Sequence, residues 1–265
     1  MSTPDIFNQF FDVHSHIHDH PEHLEVFNMK TKWNCPMGTR PSDWELVHEA
    51  AMKNPNRVIP GFGVHPWYAH EVAENDQWKD TLKEYLEKHE KAVLGEIGLD
   101  KIATNPVSKE RYDLPTQLEI FKYQFSLAAS LNRVVSVHCV QAHGYLLEYL
   151  RQLKPDQFPP KIMLHSYSGS HEIIKAVLKL PKKVGSRFYF SFSKLVNLRT
   201  KKLTDNILMI PKNRILIESD ANTLEMVDQV MEDICIALGE IWGCENTEVA
   251  EITFKNSLEF FGLEE

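Results

Sequence analysis

The feature that most limits the fold of this 265-residue chain is an alternation. Short apolar runs and amphipathic stretches replace one another about eight times along its length. The runs cover residues 6–13, 24–33, 57–64, 92–99, 133–137, 161–164, 187–192 and 214–217. Most are short and apolar throughout rather than alternating, as parallel strands covered on both faces are. The amphipathic stretches cover 42–53, 75–90, 114–131, 142–153, 170–180, 200–209, 223–238 and 247–261. The first opens on Ser42 with Glu45 three residues on, the pattern of a capping box. Eight such units predict an α/β fold, a TIM (β/α)8 barrel, in one domain over 1–265. Residues 35–41 and 101–112 are the longest irregular stretches and are expected to be loops at one barrel face. A doubly wound open sheet is the alternative, but no G-x-G-x-x-G follows an early strand.

Composition removes other classes. With 43% hydrophobic and 25% charged residues the chain is ordinary for a globular protein. No apolar run approaches the roughly 18–20 residues of a membrane-spanning helix, so no membrane association is expected. The first residues lack the basic start and apolar stretch of a signal peptide. Cys35, Cys139, Cys235 and Cys244 are scattered without a C-x-x-C pair. That pattern fits a reducing compartment, cytoplasm or nucleus. Lys and Arg number 29 against 37 Asp and Glu, a net charge of −8. A general basic surface for nucleic acid is therefore not expected, and any phosphate recognition must be local or made by a metal ion.

Histidine is the unusual residue: there are 13. Several fall, with carboxylates, at the C-terminal ends of the expected strands, where a barrel builds its active site. His14 and His16 end the first, His65 the third, His138 the fifth and His165 the sixth. Glu96 lies late in the fourth, and Asp220 follows the eighth. Two residues apart on a strand, His14 and His16 face the same side and can reach one ion. Alone, an H-x-H pair is a weak signal, and His138 or His165 alone would more often be a core histidine. Glu96 inside an apolar run needs a compensating cation, since a buried carboxylate costs several kcal/mol. A salt bridge would serve; the histidines at neighbouring strand ends favour a metal. Gly95 and Gly98 beside it suggest close approach of backbone or ligand. Asp220 could be a ligand and general base, or the N-cap of the helix from Thr223. Cys139 is expected to be a small buried residue. The remaining eight histidines, His18 and His20 included, are expected to be surface or loop residues.

Four histidines and two carboxylates exceed the three protein ligands of a single catalytic zinc. They suggest two divalent ions with a bridging carboxylate, an arrangement that clamps a phosphoryl centre and lowers the pKa of bound water to about 7. Mixed N/O donors suit Zn, Mn or Mg and do not choose between them.

At these residues the chain resembles the TatD family of metal-dependent hydrolases, within the amidohydrolase-like barrels. The likeness lies in Asp12-Val13-His14-Ser15-His16, Gly63-Val64-His65-Pro66 and Gly95-Glu96-Ile97-Gly98-Leu99-Asp100. It continues in Ser136-Val137-His138, His165-Ser166-Tyr167-Ser168-Gly169 and Ile217-Glu218-Ser219-Asp220. The resemblance implies a first metal on His14, His16, Glu96 and Asp220, and a second on Glu96, His138 and His165. It implies that Asp220 orients or deprotonates the attacking water and that His65 meets the phosphate or leaving group. The implied activity is hydrolysis of DNA phosphodiesters. Val140 and Gln141 stand where relatives often carry Arg and Asp, and Asn222 replaces a proline. These departures bear on substrate choice more than on metal binding. Two other readings are a hydrolase of a small amide or ester, and a metal-binding barrel with mainly a protein-interaction role.

Overall fold

In the computed structural model, which describes residues 6–20, 28–105, 107–197 and 202–264, eight strands follow in chain order. They are β1 (Phe11–Ser15), β2 (Trp33–Pro36), β3 (Gly61–Phe62), β4 (Val93–Asp100), β5 (Val135–Val140), β6 (Ile162–Leu164), β7 (Phe188–Phe192) and β8 (Ile215–Ile217). The helices are α1 (Trp44–Lys53), α2 (Ala69–Val72), α3 (Gln77–Lys88), α4 (Leu114–Ser130), α5 (His143–Gln152), α6 (His171–Leu178), α7 (Lys194–Asn197), α8 (Leu203–Met209), α9 (Leu224–Trp242) and α10 (Asn246–Phe261). All strand pairs are parallel, and β3 to β8 form one sheet in sequential order. β1 pairs with β2, and bridges Asn34–Val58 and Met37–Gly61 join β2 to β3. The other seam is crossed where Asp220 N donates to His14 O at 3.0 Å and His16 N donates to Ala221 O at 2.7 Å. The strands thus form the parallel ring of a TIM barrel.

Alternation along the strands sorts their side chains. Ile162, Leu164, Phe188, Phe190, Phe192, Ile215 and Ile217 pack in the large cluster beneath the helices. Met163, Tyr189 and Leu216, at the intervening positions, pack together inside the ring with Phe260 and Phe261 of α10. With a period of two, the next inward positions are His165, Ser191 and Glu218. The apolar interior therefore gives way to polar groups at the C-terminal ends of the same strands.

Several local expectations are corrected. Residues 6–9 form a 3-10 turn, and β1 begins at Phe11. The second strand is Trp33–Pro36, not 24–33, of which 24–27 lie outside the described residues. The amides of Lys30 and Thr31 donate to the Asp228 carboxylate, both at 2.8 Å, and so leave strand pairing to the residues that follow. Part of the expected 35–41 loop is accordingly strand. The Ser42–Glu45 capping box does not form: Asp43 is the N-cap of α1, and Glu45 accepts from the Tyr85 hydroxyl. Thr223, not Asp220, is the N-cap of α9. The stretch expected at 200–209 is helical from Leu203, with 200 and 201 outside the described residues.

Two contacts set the frame of the site. Asp12 is fully buried and ties three strands together. It accepts from Ser219 N (2.8 Å), Ser219 Oγ (2.5 Å), Asn34 Nδ2 (2.8 Å) and His14 N (3.3 Å). Gly98 has φ +151°, and a Cβ there would lie 1.9 Å from the carbonyl oxygen of His138. The close approach suggested by the glycines beside Glu96 is thus, at Gly98, the approach of β5. Replacing Gly98 with Ala must push β5 away. We expect Gly98→Ala to cost about 1–3 kcal/mol, as overpacked cores do, measured as a fall in the urea midpoint. An unchanged midpoint would contradict this packing.

Candidate metal centre

Glu96 stands in the middle of the ring, buried to 2% exposure. Its two carboxylate oxygens face different histidines. Oε2 lies 3.4 Å from His14 Nε2 and 3.3 Å from His16 Nε2. Oε1 lies 2.8 Å from His165 Nε2, 3.0 Å from His138 Nδ1 and 3.4 Å from His65 Nε2. Within each group the imidazole nitrogens also converge: His14 Nε2 and His16 Nε2 are 3.3 Å apart, as are His138 Nδ1 and His165 Nε2. Asp220 Oδ1 completes the first group at 3.7 Å from His16 Nε2 and 4.0 Å from His14 Nε2. All seven residues singled out in the sequence therefore meet in one place.

The other nitrogen of each of the four candidate ligand rings is held by an oxygen. His14 Nδ1 meets Ser136 Oγ at 2.9 Å, and His16 Nδ1 meets Met37 O at 3.2 Å. His138 Nε2 meets Asp100 Oδ2 at 3.3 Å, and His165 Nδ1 meets Glu218 Oε1 at 3.4 Å. Where the neutral ring donates its outward N–H to such an oxygen, the inward nitrogen is left as a lone pair, the tautomer a metal ligand needs. Three triads of donors lie close enough to share an ion: His14–His16–Glu96, His14–His165–Glu218 and His65–Glu96–His138. The donor set fits divalent metal.

His65 differs. Its Nδ1 accepts from Trp67 N at 3.2 Å. Its proton must then sit on Nε2, which points at Glu96 Oε1 as a donor. Burial lowers its pKa to about 4, so the ring is neutral near pH 7.

Electrostatics follow from crowding. Burial opposes the charge on Glu96, but the surrounding imidazoles, His65 and His165 foremost, hold its pKa well below the usual carboxylate value. Burial likewise opposes charge on His16, yet Glu96 and Asp220 raise its pKa to about 9. Burial lowers that of His14, with the charge of His165 adding to the effect. Asp100 stays ionised, its pKa about 2, because bonds from His138 and Trp67 outweigh its desolvation. The carboxylate at the centre is therefore charged, and some cation must stand beside it.

The centre opens into a cavity of about 460 Å³. Every candidate ligand except His14 lines it, with Trp67, Tyr68 and Val196 on its wall. Val140 and Asn222, two positions of departure, also line it. Cys139 is buried, as expected, at the cavity's edge. Asp220, Ser166 and Gln141 follow β8, β6 and β5 with φ of +53°, +39° and +50°. Such left-handed residues cost of order 1 kcal/mol each and cluster at functional sites.

Asp12, Asp100, Ser136 and Glu218 carry functions not assigned from the sequence. Glu218 is fully buried and accepts from Ser166 N (2.8 Å), Ser166 Oγ (2.5 Å) and Ser191 Oγ (2.5 Å) besides facing His165. The signal for it was present, since Glu218 precedes Asp220 by one strand period. The other histidines are also not all peripheral: His18 is buried, and His48 Nδ1 lies 2.7 Å from His89 Nε2.

The chain matches the family described as TatD related DNase over residues 11–262. It belongs to that family of metal-dependent hydrolases and nucleases. It is 27% identical to Cut9-interacting protein scn1 of Schizosaccharomyces pombe, covering 89% of this chain and 94% of that one. It is 28% identical to the uncharacterized deoxyribonuclease YMR262W of Saccharomyces cerevisiae, covering 80% and 83%. Among solved structures, a TatD-family hydrolase from Entamoeba histolytica superposes with TM-score 0.74 at 17% identity over 95% of this chain and 97% of that one. The TatD homologue YJJV from Escherichia coli gives 0.74 at 19% identity, over 97% and 100%. These superpositions agree with the barrel expected from the alternation.

Asp100 orients His138, so Asp100→Asn should weaken divalent-metal affinity by about 10–100-fold, as loss of such partners does. A competitive chelator titration, with circular dichroism to confirm folding, reads this; unchanged affinity would remove the orienting role.

Proposed function

We propose that the protein is a metal-dependent deoxyribonuclease that hydrolyses DNA phosphodiester bonds at a pair of divalent ions. The observation that supports this most is the division of Glu96: each carboxylate oxygen faces its own set of imidazole nitrogens. In this reading His14, His16, Glu96 and Asp220 would hold one ion, and Glu96, His138 and His165 would hold the other. When bound, such ions supply positive charge against a phosphate and make water acidic enough to attack near neutral pH. Zn, Mn or Mg would suit the mixed N/O donors.

The chain's own groups do the rest. Asp220, at the cavity edge with its side chain 18% exposed, orients the attacking water and accepts its proton. His65, neutral and with its proton on Nε2, donates a hydrogen bond to the phosphate or the departing oxygen. The described residues lining the cavity include no Lys or Arg. Charge recognition of the phosphate therefore falls to the ions. The four cysteines, none of them paired, support a reducing compartment, cytoplasm or nucleus.

The test is cleavage of single-stranded DNA, double-stranded DNA and RNA with Mg, Mn or Zn. We expect EDTA-sensitive DNA hydrolysis. Glu96→Gln should abolish it and lower metal content. His65→Ala should keep the metal and lose about 100-fold in rate, the scale of one general acid or donor. Hydrolysis confined to a small ester or amide would replace this reading. Full metal content without any cleavage would favour an interaction role, the second reading, which the likeness to a Cut9-interacting protein supports.

A further inference from the structure

Trp67 is a large apolar side chain left in water at the edge of the centre. Tryptophan is highly buried on average, yet this one is 44% exposed on the cavity wall. Two hydrogen bonds fix its place. Its backbone amide donates to His65 Nδ1 at 3.2 Å, within the 3-10 turn Pro66–Tyr68 that follows β3. Its indole N–H donates to Asp100 Oδ2 at 2.8 Å, and the same oxygen lies 3.3 Å from His138 Nε2. Among the described residues, its ring neighbours His65 and His138 stand at interplanar angles of 86° and 73°, so neither is stacked on the indole.

A flat ring held at backbone and side chain loses little freedom when a ligand arrives, which favours binding. What can use the ring is set by its surroundings. The described lining residues include no Lys or Arg, so the parts of a ligand away from the candidate metal ligands meet little positive charge. Tyr68 and Val196 extend the apolar and aromatic surface. A planar, uncharged group with a π-face suits such a wall. The indole centroid lies 6.5 Å from that of the His138 ring, within the span of one nucleotide whose phosphate is at the centre.

We propose that Trp67 is the platform on which a nucleobase of the substrate stacks, beside the phosphate held at the centre. This assignment rests on the nuclease reading and adds a base contact to it. Every base has a π-face, so the platform accepts any of the four. Losing one such stack weakens binding by roughly 5–150-fold. The bond to Asp100 gives Trp67 a second and separable effect, on the setting of His138.

The test compares dAMP with deoxyribose phosphate, the same nucleotide without its base, in calorimetric titrations of the metal-loaded protein. Neither ligand has a phosphodiester bond to cleave. The wild type should bind dAMP about tenfold more tightly. Trp67→Ala should bring the ratio close to one, with circular dichroism unchanged. Trp67→Phe keeps a ring but loses the indole N–H. Any effect passing through Asp100 and His138 then falls on both ligands alike, and most of the ratio should remain. A wild-type ratio near one would overturn the proposal, as would an undiminished ratio in Trp67→Ala, an equal collapse in Trp67→Phe, or no binding of either ligand. A ratio that depends on Trp67 in a protein that cleaves no DNA would sink the nuclease reading and leave the platform. DNA cleavage with a ratio near one would do the reverse.

Discussion

A charged carboxylate buried at the centre of the barrel governs this structure. Glu96 is almost without solvent, and removing such an ion from water costs several kcal/mol unless opposite charge and hydrogen bonds replace it. Five imidazoles on four strands, or just beyond them, supply that environment. Their inward nitrogens lie close enough to repel one another unless protons or ions stand between them. The surrounding oxygens of Asp100, Glu218, Ser136 and Met37 follow from the same need, because each holds a ring at the angle that serves Glu96. Much of the polar interior is thus one connected answer to a single buried charge.

The barrel was legible in the chain because its evidence is periodic. Apolar runs separated by amphipathic stretches survive errors of a few residues at each boundary, and every strand overlaps its expected run, β2 at Trp33 alone. The convergence of the candidate ligands was legible for a related reason: a strand end has a defined inward face, so His165 and Asp220 could be placed at one mouth without knowing their neighbours. Misplacement of β2 has a specific cause. Apolar character at 24–33 competes with side-chain bonds from Asp228, some 200 residues away, that no local pattern reveals. The capping box failed similarly, since Glu45 found Tyr85 on a neighbouring helix. Asp12 and Asp100 were missed because their roles exist only across strands. His18 was read as a loop histidine because its burial depends on where α1 sits.

Charge is distributed to match this plan. The chain is acidic overall, and around the candidate ligands its cavity wall carries aromatic, apolar and neutral polar groups and one further carboxylate, Asp19. Trp67, held to Asp100 through its indole N–H at 2.8 Å, remains 44% exposed beside the centre. It joins the wall to the group that orients His138. The cavity wall and the setting of the His138 ring are therefore physically connected through one indole.

The bond between Asp12 and Ser219 spans 207 positions of sequence. Closing the ring there brings the first strand against the last, and the candidate ligands themselves extend from His14 to Asp220. A chain leaving the ribosome displays its paired histidines early but cannot complete their surroundings until the eighth strand has emerged. Contacts of such separation are late and slow to form. A chain shortened before β8, however well its early strands fold, lacks Asp220 and has no closed barrel to hold the other six converging residues in place.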